Sequence, residues 1–386
     1  MKGIDMAALS HLRVVDLTKG AGYPGGYATV IYAELGAEVI KVEAPGRGDP
    51  VRANYTGTPG PAAAHVGLNH AKRSVTIDTR TPEGAEVLMA LLESADVVVD
   101  TGRPGADAAP GVNYATVAER NPGVVWAQLT GFGQDGPSSD RPGHDLTYLA
   151  SSGLLASLDP NGGFLPDLMV SVPMGALISA ISVLAALEHR RETGKGARID
   201  TAIEEAAMFP LFGAPGILSG NLFSIPMTPD RRTYLCGDGK RISLAAAEPR
   251  TWGALCEGLS MPDLVDALHN PERMGEATER LEATFASQPA SHWVDLLGPL
   301  GAAVGPVNAG ADIAADPHHR ARTSTVEVAG QVLPASPFHL YDDSGADLSP
   351  GQAIDPPELG ADTDEVLGGL GFDAARIAAL RESGVL

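Results

Sequence analysis

The stretch LRVVDLTKGAGYPGGYATVIYAELGAEVIKVEAP, residues 12–45, decides the fold. Residues 12–17 are a short, largely apolar run of the length of a buried strand. KGAGYPGG at 19–26 is a glycine-rich turn, and 27–37 carries a helical pattern closed by Gly36. EVIKVEAP at 38–45 is a second strand. Strand, turn, helix and strand in this order specify a parallel sheet with a right-handed crossover. Gly20, Gly22, Gly25 and Gly26 do not follow the GxGxxG spacing, so a nicotinamide cofactor is not expected.

The pattern then repeats. Residues 74–77 read as a strand. Thr81-Pro82-Glu83 supplies an N-cap, a proline at the first helical position and an acid in the first turn, and DVVVD at 96–100 is the next strand. Residues 124–129 form another strand, which runs into LTGFGQDGPSSDRPGHDLTY at 129–148. Six Gly and Pro residues make that segment a loop. It delivers His144 and Asp145 to the start of an apolar run, beyond the carboxyl end of a strand, where open parallel sheets collect their ligands. A histidine there can carry protons, or it can simply bond a nearby carbonyl. Lys72 and Arg73, just before a strand, are a phosphate clamp or a solvated basic pair.

Farther along, 172–191 reads as a helix and 197–200 as a short strand. Residues 211–227 read as a Gly/Pro-rich linker. A hairpin follows, turning at 237–239, and Glu248-Pro249 opens a helix. Amphipathic helices run to about residue 300, strand character returns at 302–310, and two short helices end the chain. The adjacent His318 and His319 lack helical ligand spacing, so no metal site is expected there.

At 386 residues the chain suggests two domains. Its formal charge of −21 argues against nucleic acid as a partner. Two cysteines without a CxxC exclude a disulfide framework and point to a cytoplasmic setting. The start, MKGIDMAALSHLRVVDLT, lacks the pattern of a signal peptide. The apolar stretch 168–187 is interrupted by Ser171, Pro173, Gly175, Ser179 and Ser182, and it reads as a buried helix with no membrane span.

Taken in order, several segments resemble the class III CoA-transferase family of the CaiB/BaiF type, which includes the α-methylacyl-CoA racemases. They are VVDLT (14–18), LGAEVIKVEAPGRGDPVR (35–52), LNHAKRSVTIDTRTPEG (68–84), ADVVVD (95–100) with RPG (103–105), LTGFGQDGP (129–137), LAALEHRRETGKG (184–196) and LGADTDEVLGGLGF (359–372). The resemblance implies an α/β fold with a large Rossmann-like parallel-sheet domain and a smaller α/β domain. The expected boundaries are a large domain at 1–200, a linker at 201–225, a small domain at 226–320 and a return segment at 321–386. It also implies an interlocked homodimer, and a CoA or acyl-CoA thioester as substrate with no tightly bound cofactor. Lys72, Arg73, Arg103, Gly131 and Gly133 fall at positions the resemblance assigns to the carrier.

Within the resemblance, His144 and Glu248-Pro249 point to the racemase branch, where an α-proton is removed from one face of a thioester enolate and returned to the other. The family's catalytic Asp position falls at Ser171, which can serve neither as that base nor as an anhydride-forming nucleophile. Asp167 is the nearby substitute, Asp145 the orienting group for His144, and Glu248 a support. The arginine expected after RPG is replaced by the alanine-rich run 106–109. The expected activity is acid/base chemistry at the α-carbon of a 2-methylacyl thioester. CoA transfer between carboxylic acids, one-base elimination or isomerisation, and non-catalytic acyl-CoA binding are the alternatives.

Overall fold

The computed structural model describes residues 7–20, 24–53, 60–159, 168–213, 216, 228–349 and 351–386. The chain divides into two compact units, Met1–Leu222 with Arg322–Leu386, and Phe223–Ala321.

The first unit is built on six strands: β1 (Arg13–Asp16), β2 (Glu38–Glu43), β3 (Arg73–Thr76), β4 (Val97–Asp100), β5 (Val125–Thr130) and β6 (Ala197–Ala202). They pair in parallel in the order β3-β2-β1-β4-β5-β6. Both faces are buried, and alternate residues of each strand serve opposite cores. Val15, Ile40, Val75, Val98 and Trp126 meet the helix Pro82–Glu93 and the C-terminal helices on one face. Val14, Val39, Val97, Val125 and Ala127 meet the helices Pro24–Glu34 and Ser171–Thr193 on the other. The first helix begins at Pro24, three residues before its expected start, because proline suits the first helical turn.

Residues 201–207 were expected in a linker. They instead complete β6 and form the helix Ile203–Ala207, with Ile203 and Ala207 buried in the large unit. A hairpin not foreseen from the sequence, β10 (Thr325–Val328) with β11 (Gln331–Pro334), turns through Ala329 and Gly330, both at positive φ.

The second unit pairs β7 (Arg231–Leu235), β8 (Arg241–Ala245) and β9 (Val304–Pro306) antiparallel in that order. Trp252, Phe285 and Trp293 fill its core with Ile242 and Leu244. Both indoles are satisfied, Trp252 by the Leu264 carbonyl at 2.8 Å and Trp293 by the Phe285 carbonyl at 2.9 Å. Cys236 and Cys256 are free thiols buried in this unit.

The helix Ser171–Thr193 is long and apolar enough, by length and composition, to cross a membrane. Val172, Ala176, Ala180 and Val183 press on the sheet. Leu177, Ile181 and Leu184, four and three residues apart, form an outer apolar ridge exposed at 51%, 61% and 39%.

Candidate active site

Strands β1 to β4 end on a cavity of about 630 Å³. Its walls are the segments that leave their carboxyl ends: Leu17–Lys19, Glu43–Pro50, Ile77–Arg80 and Asp100–Gly102. The site coincides with the reversal of strand order between β1 and β4, the switch point at which open α/β sheets bind ligands.

A buried charge cluster holds these walls. The Asp16 carboxylate accepts the Thr18 N–H and hydroxyl at 2.9 and 2.6 Å, the Thr29 hydroxyl at 2.7 Å and the Lys72 ammonium at 3.0 Å. Burial pushes Asp16 up, but Lys41, Lys72 and the two threonines outweigh it and hold the carboxyl well below the usual range. Lys41 donates to the Thr18 carbonyl at 3.1 Å and pairs with Asp49 at 2.8 Å, so one ammonium joins the loops after β1 and β2. Gly20 lies over this pair, and a Cβ there would meet the Asp49 carboxylate at 2.1 Å. Close packing over buried charge thus accounts for a glycine that no dinucleotide fingerprint explained. Arg52 grips Glu43 with two nitrogens at 2.7 and 2.6 Å, and Ser74 donates to the same carboxylate.

Lys72 belongs to the cluster and not to the cavity wall. Its three donors go to Asp16, Thr29 and Asn69, and burial lowers it to about 8 against the pull of Asp16. Arg73 is engaged by Glu38, Asp362 and Glu365. Neither side chain offers the free phosphate clamp expected of it. Arg103 is exposed beside the cavity without lining it. The basic groups that do line it are Lys19, Arg47 and Arg80, which sequence reasoning missed. Their signal was position, since each follows a strand end closely.

A second candidate region leaves the carboxyl edge of the sheet from β5, the neighbour of β4, and none of its residues lines the cavity. Gly131 and Gly143 clasp the Tyr148 ring, and a Cβ at either would come within 2.5 Å of it. The Tyr148 hydroxyl donates to the Gly143 carbonyl at 2.6 Å, which fixes the loop next to His144. Gly133 adopts a φ of +87°, open to glycine at little cost. Gly131 and Gly133 therefore have structural reasons of their own, independent of any carrier.

His144 is exposed and occupies the N-cap position of the helix Asp145–Ser151. Asp145 does not orient it. Its carboxylate is turned into the start of the helix Ser171–Thr193, where it accepts the Val170 N–H at 3.0 Å, the Val172 N–H at 2.8 Å and the Ser171 hydroxyl at 2.8 Å. Those N–H groups have no partner inside their own helix, so Asp145 caps it from 26 residues upstream. Ser171 is fully buried. Asp167 lies outside the described residues. Glu248 is in the second unit, exposed at the N-cap of the helix Pro249–Gly258, where it accepts the Thr251 hydroxyl at 3.0 Å. Among the described residues no group of His, Cys, Asp and Glu is placed to hold a metal ion.

Residues 9–363 match the description CoA-transferase family III. The α subunit of succinyl-CoA–L-malate CoA-transferase from Chloroflexus aurantiacus is 32% identical, over 83% of this chain and 78% of its own. Human alpha-methylacyl-CoA racemase is 28% identical, over 98% of this chain and 97% of its own. The crystal structure of a CAIB/BAIF family protein from Brucella suis superposes with a TM-score of 0.82 at 27% identity, covering 94% of this chain and 99% of that one. This chain, with its six-stranded parallel sheet and its cavity at the strand ends, belongs to CoA-transferase family III.

Proposed function

We propose that this protein binds an acyl-CoA-type thioester in the cavity at the strand ends and uses His144 to move a proton at the α-carbon of a 2-methylacyl group. One observation carries this reading: at the loop after β5 the histidine is exposed, while the hydroxyl of Ser171 is buried and committed to Asp145. With no exposed surface, the Ser171 hydroxyl cannot reach a thioester carbonyl, which argues against it as an acyl-transfer nucleophile. The Asp145 carboxylate is occupied by three donors at the start of the helix Ser171–Thr193 and is turned away from His144's side of the loop. The imidazole is the group left to exchange a proton with an enolisable substrate.

The second reading is CoA transfer between carboxylic acids. It is favoured by relatives with transferase names, among them the Chloroflexus subunit and the acetyl-CoA:oxalate CoA-transferase of Acetobacter aceti, 29% identical over 86% of this chain. Incubation of a 2-methylacyl-CoA with the protein in deuterated water, with and without a free carboxylate acceptor, separates the two. Deuterium at the α-carbon supports proton chemistry. CoA appearing on the acceptor without exchange supports transfer and overturns the first reading.

The protein acts as a homodimer in the cytoplasm in this proposal. The ridge of Leu177, Ile181 and Leu184, with Phe209 and Phe212 also exposed on the large unit, is the surface a second copy would cover.

A further inference from the structure

The two peptide groups on either side of His144 are both bonded to Tyr148. Its hydroxyl donates to the Gly143 carbonyl, in the peptide before the histidine, at 2.6 Å. Its backbone N–H donates to the His144 carbonyl, in the peptide after it, at 3.2 Å, and the Thr147 N–H reaches the same oxygen at 2.8 Å. The peptide bond is planar, so the orientation of these two peptides fixes the direction in which the Cα–Cβ bond of His144 leaves the chain. The bond to the His144 carbonyl belongs to the first turn of a helix and needs no particular side chain. The bond to the Gly143 carbonyl needs a long side chain that ends in a donor, and tyrosine supplies it.

The Tyr148 ring is itself held in place. It is buried, and Phe132 meets it edge-on, with the ring centroids 5.2 Å apart and the planes at 76°. The Arg141 guanidinium covers the Phe132 ring, 5.5 Å from its centroid. Neither Gly131 nor Gly143 has room for a Cβ beside the Tyr148 ring. Burial, with Asp145 nearby, pushes the phenol up, so its hydroxyl remains a donor over the range in which an imidazole titrates. On the other side of the histidine, Asp145 is fixed to Val170, Ser171 and Val172. His144 therefore sits between two anchored neighbours while its own side chain is exposed. Its freedom is confined to its own side-chain torsions, and a proton carrier that must meet a C–H bond at one distance and angle gains from that restriction.

We infer that Tyr148 is the positioning residue of His144: its hydroxyl holds the Gly143 peptide and so aims the imidazole at the α-carbon of the substrate. The inference rests on the proposed proton chemistry. It is tested by steady-state α-proton exchange of a 2-methylacyl-CoA in deuterated water, with the full chain and with Tyr148→Phe, which keeps the ring and removes the donor. The rate at saturation is expected to fall about tenfold or more, with KM within about twofold of wild type and the pH of half-maximal rate unmoved. A folded Tyr148→Phe whose saturated rate falls less, or that loses rate only through a higher KM, overturns the inference and leaves the proposed function standing. If Tyr148→Phe does not fold, Gly143→Ala, whose Cβ would push the ring off the same carbonyl, is read by the same criteria. A wild type that binds the thioester without exchanging its α-proton is a distinct result, which overturns the proposed function and the inference with it.

Discussion

The Ser171 hydroxyl donates to the Asp145 carboxylate across 2.8 Å, and that bond joins the loop of His144 to the start of the 23-residue helix Ser171–Thr193. Asp145 thereby works as a remote helix cap, and its neighbour His144 stays in solvent.

Removing the acceptor exposes what it holds. Asp145→Ala leaves the Val170 and Val172 N–H groups without their acceptor, while the Ser171 hydroxyl keeps the backbone carbonyl of residue 145 at 2.9 Å, and the expected loss is about 2 kcal/mol. Asp145→Asn keeps an acceptor and is expected to lose roughly half as much. Urea denaturation measures both. Equal stability of Asp145→Ala and wild type would show that the cap contributes nothing.

Ser171→Asp places a second carboxyl within hydrogen-bonding reach of the first. Two carboxyls so close share one proton, so one of them titrates well above its unfolded value. Its folded state binds more protons than the unfolded chain, and stability falls as pH rises through that interval. The variant is therefore expected to lose more stability, relative to wild type, at pH 8 than at pH 5. Urea midpoints at the two values check the sign.

Lys72 and Arg80 are expected to separate stability from binding. Lys72→Met leaves Asp16 without one of its buried cations and should cost about 3–5 kcal/mol. Arg80 is on the cavity wall and exposed, so Arg80→Ala should leave stability close to that of the wild type while weakening carrier binding. Calorimetric titration with denaturation of each variant tests the contrast, and a Lys72→Met protein of wild-type stability would contradict it.

His65 predicts a pH dependence. Burial, with the Arg52 guanidinium beside it, lowers its imidazole from 6.5 to about 4. Between those values the unfolded chain takes up a proton that the folded chain refuses, so stability falls as pH drops from about 6.5 to about 4. The urea midpoint should follow this slope, and His65→Gln should flatten it.

The large sheet was legible because its strands are buried on both faces, which makes RVVD and DVVVD short valine runs between clear turns, with EVIKVE apolar at Val39, Ile40 and Val42. The hairpin of Thr325–Pro334 was not, since four-residue strands around an Ala-Gly turn carry little periodic signal. The exposure of His144 could be read from the glycines and prolines of its loop. The fates of Lys72 and Arg73 could not, because the carboxylates that absorb them, Asp16 and Asp362, lie 56 and 289 residues away. A basic pair before a strand reads the same whether it faces a ligand or a buried acid. Likewise, Asp145 looked like a partner for its sequence neighbour, and only the folded chain brings the helix start at 171 to it.

The proton proposed to be carried by His144 is measured most directly by α-proton exchange of a 2-methylacyl-CoA in deuterated water. Wild-type protein should incorporate deuterium at the α-carbon, and His144→Ala should slow incorporation at least 100-fold while still binding the thioester. Exchange at the wild-type rate in His144→Ala, or no exchange by a wild-type protein that binds the thioester, would contradict that role.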